Sequence, residues 1–419
     1  MNKKYLIILS LFLVLIISLV LTHSYIGRYI IKEKSAEEES SDIERLISLP
    51  YLSGVTEDPA PEKMGVTLYN RDLSYRGINV FTPYAMKETH LMDMMGEILH
   101  TWSSDTPHGW QYSELDNESN LFVIEGEYAH TFKTLVKLDW DSNVQWVSKN
   151  NHHHDFAFSS SGDMYVLTKG KRYVSFMSQE IPIRDNTITV LTPDPDGKVK
   201  SSISIYDLLA SEGMLPKRIL AGVKKRYSRS RRNKKINKGI KHGFDVFHTN
   251  TIEVIERDIG VANKGNILIF INKIDLAAIV DIEREKVIWT WGPGIVNRAH
   301  MPTVLENGNI LILDNGRSRR YSRVIELNPI TKKIEWEYKS DPPELFHSRF
   351  RGSAQKLPNN NVLITECDRG RVFEITRDGE IVWEFYNPKR DKKKDKRVAI
   401  YRMMRITDPE NYPKLKGLQ

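Results

Sequence analysis

Four stretches decide the fold: LVKLDWDSNVQW (135–146), AIVDIEREKVIW (278–289), RVIELNPITKKIEW (323–336) and RVFEITRDGEIVW (371–383). Each is an apolar strand, a tight polar turn and a second strand that ends in Trp. Two weaker copies share the pattern, HLMDMMGEILH (90–100) and ITVLTPDPDGKVKS (188–201), with His100 and Ser201 in place of Trp. The unit ends fall at 100, 146, 201, 289, 336 and 383, so three of the intervals are 46, 47 and 47 residues. The interval from 201 to 289 holds one repeat and about forty residues more. Self-similarity at such a period marks a repeat architecture.

A second pattern precedes each unit, a turn followed by alternating apolar residues. Examples are ESNLFVI (118–124), SGDMYVL (161–167), KGNILIF (264–270), ENGNILIL (306–313) and PNNNVLIT (358–365). Period-2 runs joined by Asn-Gly-type turns are hairpins. Each repeat therefore holds about four short strands. One four-stranded sheet of that size cannot bury its own faces, whereas six arranged radially can, and the ring protects the sheet edges. The expected fold is all-β, a six-bladed β-propeller over residues 65–406. Its recurring Trp residues pack between blades, and Tyr401-Arg402-Met403-Met404-Arg405 pairs with the N-terminal strands to close the ring.

Ahead of the propeller lies YLIILSLFLVLIISLVLT (5–22), eighteen residues without a charge. A helical span needs about 20 residues, within a range of roughly 17–25. The exit, Leu21-Thr22-His23-Ser24-Tyr25, is a poor cleavage site, so the run reads as an uncleaved transmembrane signal anchor. Residues 1–4 then form a cytoplasmic tip and 23–64 a stalk, with EKSAEEESSDIE (33–44) its charged part; 407–419 form a C-terminal tail. Lys3 and Lys4 favour an inside N-terminus, although Arg28, Lys32 and Lys34 follow closely. The expected location is a single-pass inner or plasma membrane, with the propeller on the periplasmic or extracellular side.

The charge is unevenly spread. The 419 residues carry 61 Lys/Arg against 54 Asp/Glu, a net +7. Twelve of the basic residues lie between Lys217 and Lys241 with no acid among them. Seven more lie between Lys389 and Arg397 with two acids. The remaining chain is acidic, with 42 basic and 52 acidic residues. This is not the even basic surface of a DNA-binding fold, and no nucleic-acid partner is expected. The insertion at 205–243 explains the irregular interval. It reads as a solvated loop, a cover over the channel mouth, or a contact with anionic lipid headgroups. Cys367 is the single cysteine, so no intrachain disulfide and no Cys/His zinc pattern is possible.

Histidine begins the inner strand of three successive repeats. His154 and His300 each stand eight residues before a turn glycine, Gly162 and Gly308, and His248 opens a longer hairpin before Gly265-Asn266. Equal register places these side chains at one height beside the central channel. Three converging imidazoles suit nucleophilic catalysis or metal binding; nearby acids show no fixed ligand spacing, so no metal and no cofactor is expected. Asn250 shares a strand face with His248. Arg298 precedes His300 by two residues, Arg351 begins the sixth inner strand, and Gln111 holds the matching place in the second. Asp314-Asn315-Gly316-Arg317 reads first as a turn.

These residues resemble the arylsulfotransferase family of bacterial six-bladed propeller enzymes. The matching stretches include HHDFAFSSSGDMYVL (153–167), DVFHTNTIEVI (245–255), HMPTVLENGNILILDNG (300–316) with YSRVIELNP (321–329), and QKLPNNNVLITECDRGRVFEITRDGEIVWEF (355–385). The resemblance implies sulfuryl transfer from an aryl sulfate ester to a phenolic acceptor, without a nucleotide donor. It implies a transiently sulfated histidine at the position of His300, with His248 and His154 in support. One position departs from the family. In GNILIFINKID (265–275) Asn272 stands where an arginine is expected, so either Arg298, Arg351 or Lys273 substitutes for it, or the enzyme is altered or inactive. A non-catalytic, membrane-tethered propeller that binds a glycan, an anionic lipid headgroup or a protein is the alternative reading.

Overall fold

Each of the six repeats folds around four antiparallel strands, two of the sheets gaining a fifth strand, and the six sheets form a ring. The computed structural model describes residues 60–418 apart from 107, 127–132, 193–195, 233–240 and 392–395. The expected anchor at 5–22 and most of the stalk lie outside the described residues. Among the described residues no helix is long and apolar enough to cross a membrane.

The innermost strands, in ring order, are Ile400–Ile406 of blade 1, Trp110–Leu115 of blade 2 and His152–Phe158 of blade 3. Thr249–Val254 of blade 4, His300–Val304 of blade 5 and Ser353–Lys356 of blade 6 complete the circle. Blade 1 is closed as expected. The late strand Ile400–Ile406 pairs antiparallel with Ile78–Pro83, with Ile406 opposite Ile78 and Ile400 opposite Pro83. Gly65–Tyr69 adds a fifth strand to the outside of blade 6 by pairing with Ile381–Tyr386. The two ends of the propeller are thus tied into each other's blades. Arg405 secures the closure from a fully buried position: its guanidinium meets Glu374 and donates to Asn79 Oδ1 (2.9 Å) and the Tyr75 carbonyl (2.9 Å).

The Trp signature has a definite structural job. Trp289 Nε1–H donates to the Pro329 carbonyl (2.9 Å), Trp336 to Arg377 (3.0 Å) and Trp383 to Met94 (2.9 Å). Each bond runs from the outer strand of one blade to the turn that precedes the outer strand of the next. His100 occupies the same register and makes the same bond, its Nε2 donating to the Trp140 carbonyl (3.0 Å). Trp146 lies flat against Gly197, where a Cβ would stand 2.8 Å from its ring. That turn tolerates only glycine, which also adopts φ +63° there. Trp383→Phe is expected to cost about 1–2 kcal/mol in urea unfolding, because the Met94 carbonyl stays buried without its donor. A change below about 0.3 kcal/mol would show that the bond is incidental.

The basic insertion is not a bare solvated loop. Ser204 caps helix α1 (Ile205–Ser211), its Oγ accepting from the Asp207 amide (3.1 Å). Helix α2 (Lys217–Arg232) hides an apolar stripe among its lysines and arginines: Leu220, Val223 and Tyr227, spaced by three and four, are buried. They pack with Leu208 and Leu209 of α1 against Val174, Ile181 and Ile183. Those three belong to the long hairpin of blade 3, Met164–Phe176 and Gln179–Thr192, whose far half reaches beyond the blade. The chain returns through Phe244–Asp245, which pairs parallel with Ile183–Arg184. The insertion therefore ends on the same hairpin that lines the channel mouth, directly before His248.

Candidate functional site

The inner strands of blades 2 to 5 all carry a β-bulge near their first residues. Left-handed backbone lies at or beside the inner-strand starts of blades 3 to 6, at His154 (φ +64°), His248 (+53°), Arg298 (+61°), Met301 (+49°) and Arg351 (+57°). Such φ values are uncommon for residues other than glycine, and they cluster where a side chain must be re-aimed. Here they gather around one mouth of the channel.

His300 is the best defined of these groups. Its Nδ1 faces two oxygens, Asn315 Oδ1 (2.8 Å) and the Arg298 carbonyl (3.1 Å). The orientation of Asn315 is fixed, because its Nδ2 donates to the Ser348 (2.7 Å) and Arg351 (2.8 Å) carbonyls. Nδ1 must then carry the hydrogen, and Nε2 keeps its lone pair. Burial pushes the His300 pKa down to about 3, against the pull of the Asn315 hydrogen bond and helped by nearby His248 and Arg351. The ring is neutral and nucleophilic at Nε2 across the physiological range.

His248 and His154 stand beside each other, with ring centroids 4.7 Å apart. His248 Nδ1–H donates to Asp245 Oδ2 (2.7 Å). Burial alone would raise the Asp245 pKa, but His248, Lys273 and Arg184 overcome it and hold the carboxyl well below its usual range. Burial, reinforced by His248 and His153, drives His154 well below the ordinary histidine value. The Tyr401 hydroxyl lies 3.4 Å from His154 Nδ1 and 3.2 Å from the His154 carbonyl. Tyr401 stacks on Tyr84, whose hydroxyl accepts from Arg351 Nη2 (3.0 Å). The Arg351 guanidinium lies 4.0 Å from the centre of that ring.

The remaining expected residues sit around His300. Asn250 directs its Nδ2 to the Ala299 carbonyl (3.0 Å), and Asn272 reaches the same oxygen at 3.4 Å. Both clamp the peptide that precedes His300. Arg298 folds onto the position where arginine is missing: its Nη1 donates to the Asn272 carbonyl (3.0 Å) and lies 3.5 Å from Asn272 Oδ1. The Arg298 guanidinium, carried by blade 5, thus lies against Asn272 of blade 4. Among the described residues no group of three His, Cys, Asp or Glu side chains has metal-holding geometry.

Sequence reasoning passed over the cations. A cavity of about 80 Å³ beside His154 and His248 is also lined by Lys133, His153, Lys169, Arg184, Asn186 and Asp245. Lys133 precedes an ordinary strand of blade 2, and Lys169 and Arg184 lie on the long hairpin. None has a motif around it; only closure of the ring brings them together. Asp245 was passed over too, because the acids near the histidines keep no common spacing, although it lies three residues before His248. A groove of about 740 Å³ lies between the outer strands of blades 5 and 6, and one of about 330 Å³ lies at the opposite end of the channel. Neither contains any of the three histidines.

Comparison with known proteins agrees with the family resemblance. The model of the arylsulfotransferase (ASST) family matches residues 96–388. No curated protein matches the chain in sequence. Among solved structures, a protein of unknown function from Bacteroides caccae aligns with a TM-score of 0.46 and 12% identity, over 78% of this chain and 98% of that one. Streptogramin B lyase aligns with a TM-score of 0.43 and 13% identity, over 78% and 83% of the two chains. Virginiamycin B lyase from Staphylococcus aureus aligns at 0.39 and 11%, over 68% and 72%.

Proposed function

The chain belongs to the arylsulfotransferase family, and we propose that it moves a sulfuryl group from an aryl sulfate ester to a phenolic acceptor through a sulfated His300. The observation that carries this reading is the tautomer of His300, with Nδ1–H held by Asn315 and an unprotonated Nε2. A neutral imidazole so oriented is an activated nucleophile.

In the first half-reaction Nε2 attacks sulfur. The N–S bond forms as the S–O bond to the aryl group breaks, and the electron pair leaves with the phenolate. The ring becomes cationic, and Asn315 Oδ1 accepts from its Nδ1–H throughout. His248, oriented by ionised Asp245, gives a proton to the departing oxygen. In the second half the acceptor phenol loses its proton to His248 as its oxygen attacks sulfur. The N–S bond breaks and its electron pair returns to Nε2. His154 and Arg298 supply positive or donor groups for the sulfuryl oxygens, whose charge is spread as in phosphoryl transfer. Arg298 takes the part of the arginine that Asn272 replaces. We further infer that residues 5–22 tether the propeller outside the cytoplasm; the support is the charge-free run alone.

The test is direct. Protein incubated with 4-nitrophenyl sulfate, without acceptor, is digested and its peptides weighed. One sulfuryl group is expected on the peptide that contains His300, and added phenol should discharge it. No adduct and no nitrophenolate release across several donors would overturn the reading.

A further inference from the structure

Resting on that reading, we propose that Asp275 is a positioning residue for the transfer. Its carboxylate holds the left-handed turn at Arg298, and through that turn the two groups that Arg298 brings to the site.

Residues 292–299 form a strap that runs from the outer strand of blade 4, Lys286–Trp291, to His300. Its last three residues are each held by polar side chains of other segments. The Asn297 amide donates to Asp314 Oδ1 (2.8 Å) and the Arg298 amide to Asp275 Oδ1 (2.6 Å). The Ala299 carbonyl accepts from Asn250 and Asn272. Arg298 is the member of the strap that reaches the site twice. Its carbonyl faces His300 Nδ1 (3.1 Å), and its guanidinium donates to the Asn272 carbonyl (3.0 Å). Its backbone has φ +61°, a conformation that persists in a residue other than glycine only where the surroundings impose it.

The contacts of Asp275 fit this part. Asp275 ends the short turn Asn272–Ile274, whose Asn272 and Lys273 amides donate to the His248 (3.3 Å) and Phe247 (2.9 Å) carbonyls. The turn is thereby fixed to the backbone at His248. Asp275 itself has φ +54°, which Asp and Asn adopt more readily than most residues. The strap starts directly against it: a Cβ at Gly292 would stand 2.4 Å from the Asp275 carbonyl. Among the described residues, the Asp275 carboxylate takes its hydrogen bonds from the strap alone, from the Arg298 amide and the Asn297 side chain. Asp314, by contrast, also pairs with Arg319 and Arg323, and so serves the packing of blade 5. Asp275 thus ties the backbone beside His248 to the backbone beside His300.

Hydrogen exchange and kinetics test this together on the full-length protein. Asp275→Gly removes the carboxylate and suits the left-handed backbone, while Asp275→Asn keeps an oxygen that accepts from the Arg298 amide. Asp275→Gly is expected to speed exchange of the Arg298 amide about tenfold or more. It should also lower kcat for 4-nitrophenyl sulfate by about tenfold to a hundredfold, as a misplacement of about 1 Å does, with KM changed less than about threefold. Asp275→Asn should bring both readings back to within about threefold of the parent. Glu285→Gly, another left-handed position (φ +51°) in an exposed turn of blade 4, should alter neither. Asp275→Ala repeats the comparison if the glycine variant folds poorly. Added to Arg298→Ala, Asp275→Gly should cost at most about threefold more, because the guanidinium it positions is gone; a merely structural role would multiply the two losses. Unchanged exchange in Asp275→Gly, or fully multiplied losses in the double variant, overturns the proposal. A parent protein without turnover on any donor overturns the sulfuryl-transfer reading, and with it the part of Asp275 in the reaction; the exchange rates decide separately whether Asp275 holds the turn.

Discussion

His300→Ala is expected to lower kcat for aryl sulfate turnover by about four orders of magnitude or more, with KM changed only a few-fold. Removal of a covalent nucleophile typically costs on the order of 10⁶ in kcat, and the residual rate reflects the rest of the site. Four decades correspond to about 5.4 kcal/mol of barrier, at 1.36 kcal/mol per tenfold. The loss falls on kcat because the imidazole makes its bond to sulfur only on the way to the transition state. His248, His154 and Arg298 remain, so ground-state affinity should persist. Steady-state release of nitrophenolate measures both constants. His90→Gln, half-buried in an outer part of blade 1 and bonded to Thr101, is the matched control and should stay within about twofold. A His300→Ala protein with more than a tenth of the parent kcat would remove His300 from the reaction path.

The second large effect is on stability. Arg405→Leu is expected to destabilise the propeller by about 3–5 kcal/mol, the usual cost of leaving one member of a buried ion pair alone. Both Arg405 and Glu374 have fully buried side chains. Glu374 would keep only its bonds from the Tyr75 amide (2.8 Å) and Asn361 Nδ2 (2.7 Å). The Asn79 and Tyr75 oxygens would also lose their donor. The strand that carries Arg405 closes the ring, so the loss should appear as a lower urea midpoint for the whole transition. The double variant Arg405→Leu/Glu374→Gln should recover part of the loss, because it removes the orphaned charge. A single-variant loss under 1 kcal/mol would mean that strand pairing alone holds the closure.

Most of the architecture was readable because it repeats. The outer-strand Trp recurs at the spacing of a blade, and its hydrogen bond to the next turn shows why that residue type returns. His100 was readable for the same reason, as a group that can donate from the same register. The three histidines were read as a set because each opens the inner strand of successive repeats, two of them eight residues before a turn glycine. Lys133, Lys169 and Arg184 were not, because no spacing along the chain encodes contacts made across blades. Helix α2 was hidden by composition: three apolar residues suffice to seat it, and twelve basic residues surround them in sequence. Asn272 looked like a loss when read along its own strand. Arg298, which donates to the Asn272 carbonyl and is proposed to take that arginine's part, lies in another blade and has a left-handed backbone.

The pairing of Ile400–Ile406 with Ile78–Pro83 also bears on how the protein is made. A ribosome releases the first blade's outer strands long before their inner partner exists. At about 5–20 residues per second, the nascent chain waits tens of seconds as an open arc with strand edges bare at both ends. Bare edges of this kind invite pairing with other chains. Any product cut short before residue 400 keeps that edge permanently, so premature termination should yield material bound by chaperones or degraded, and no partly active enzyme.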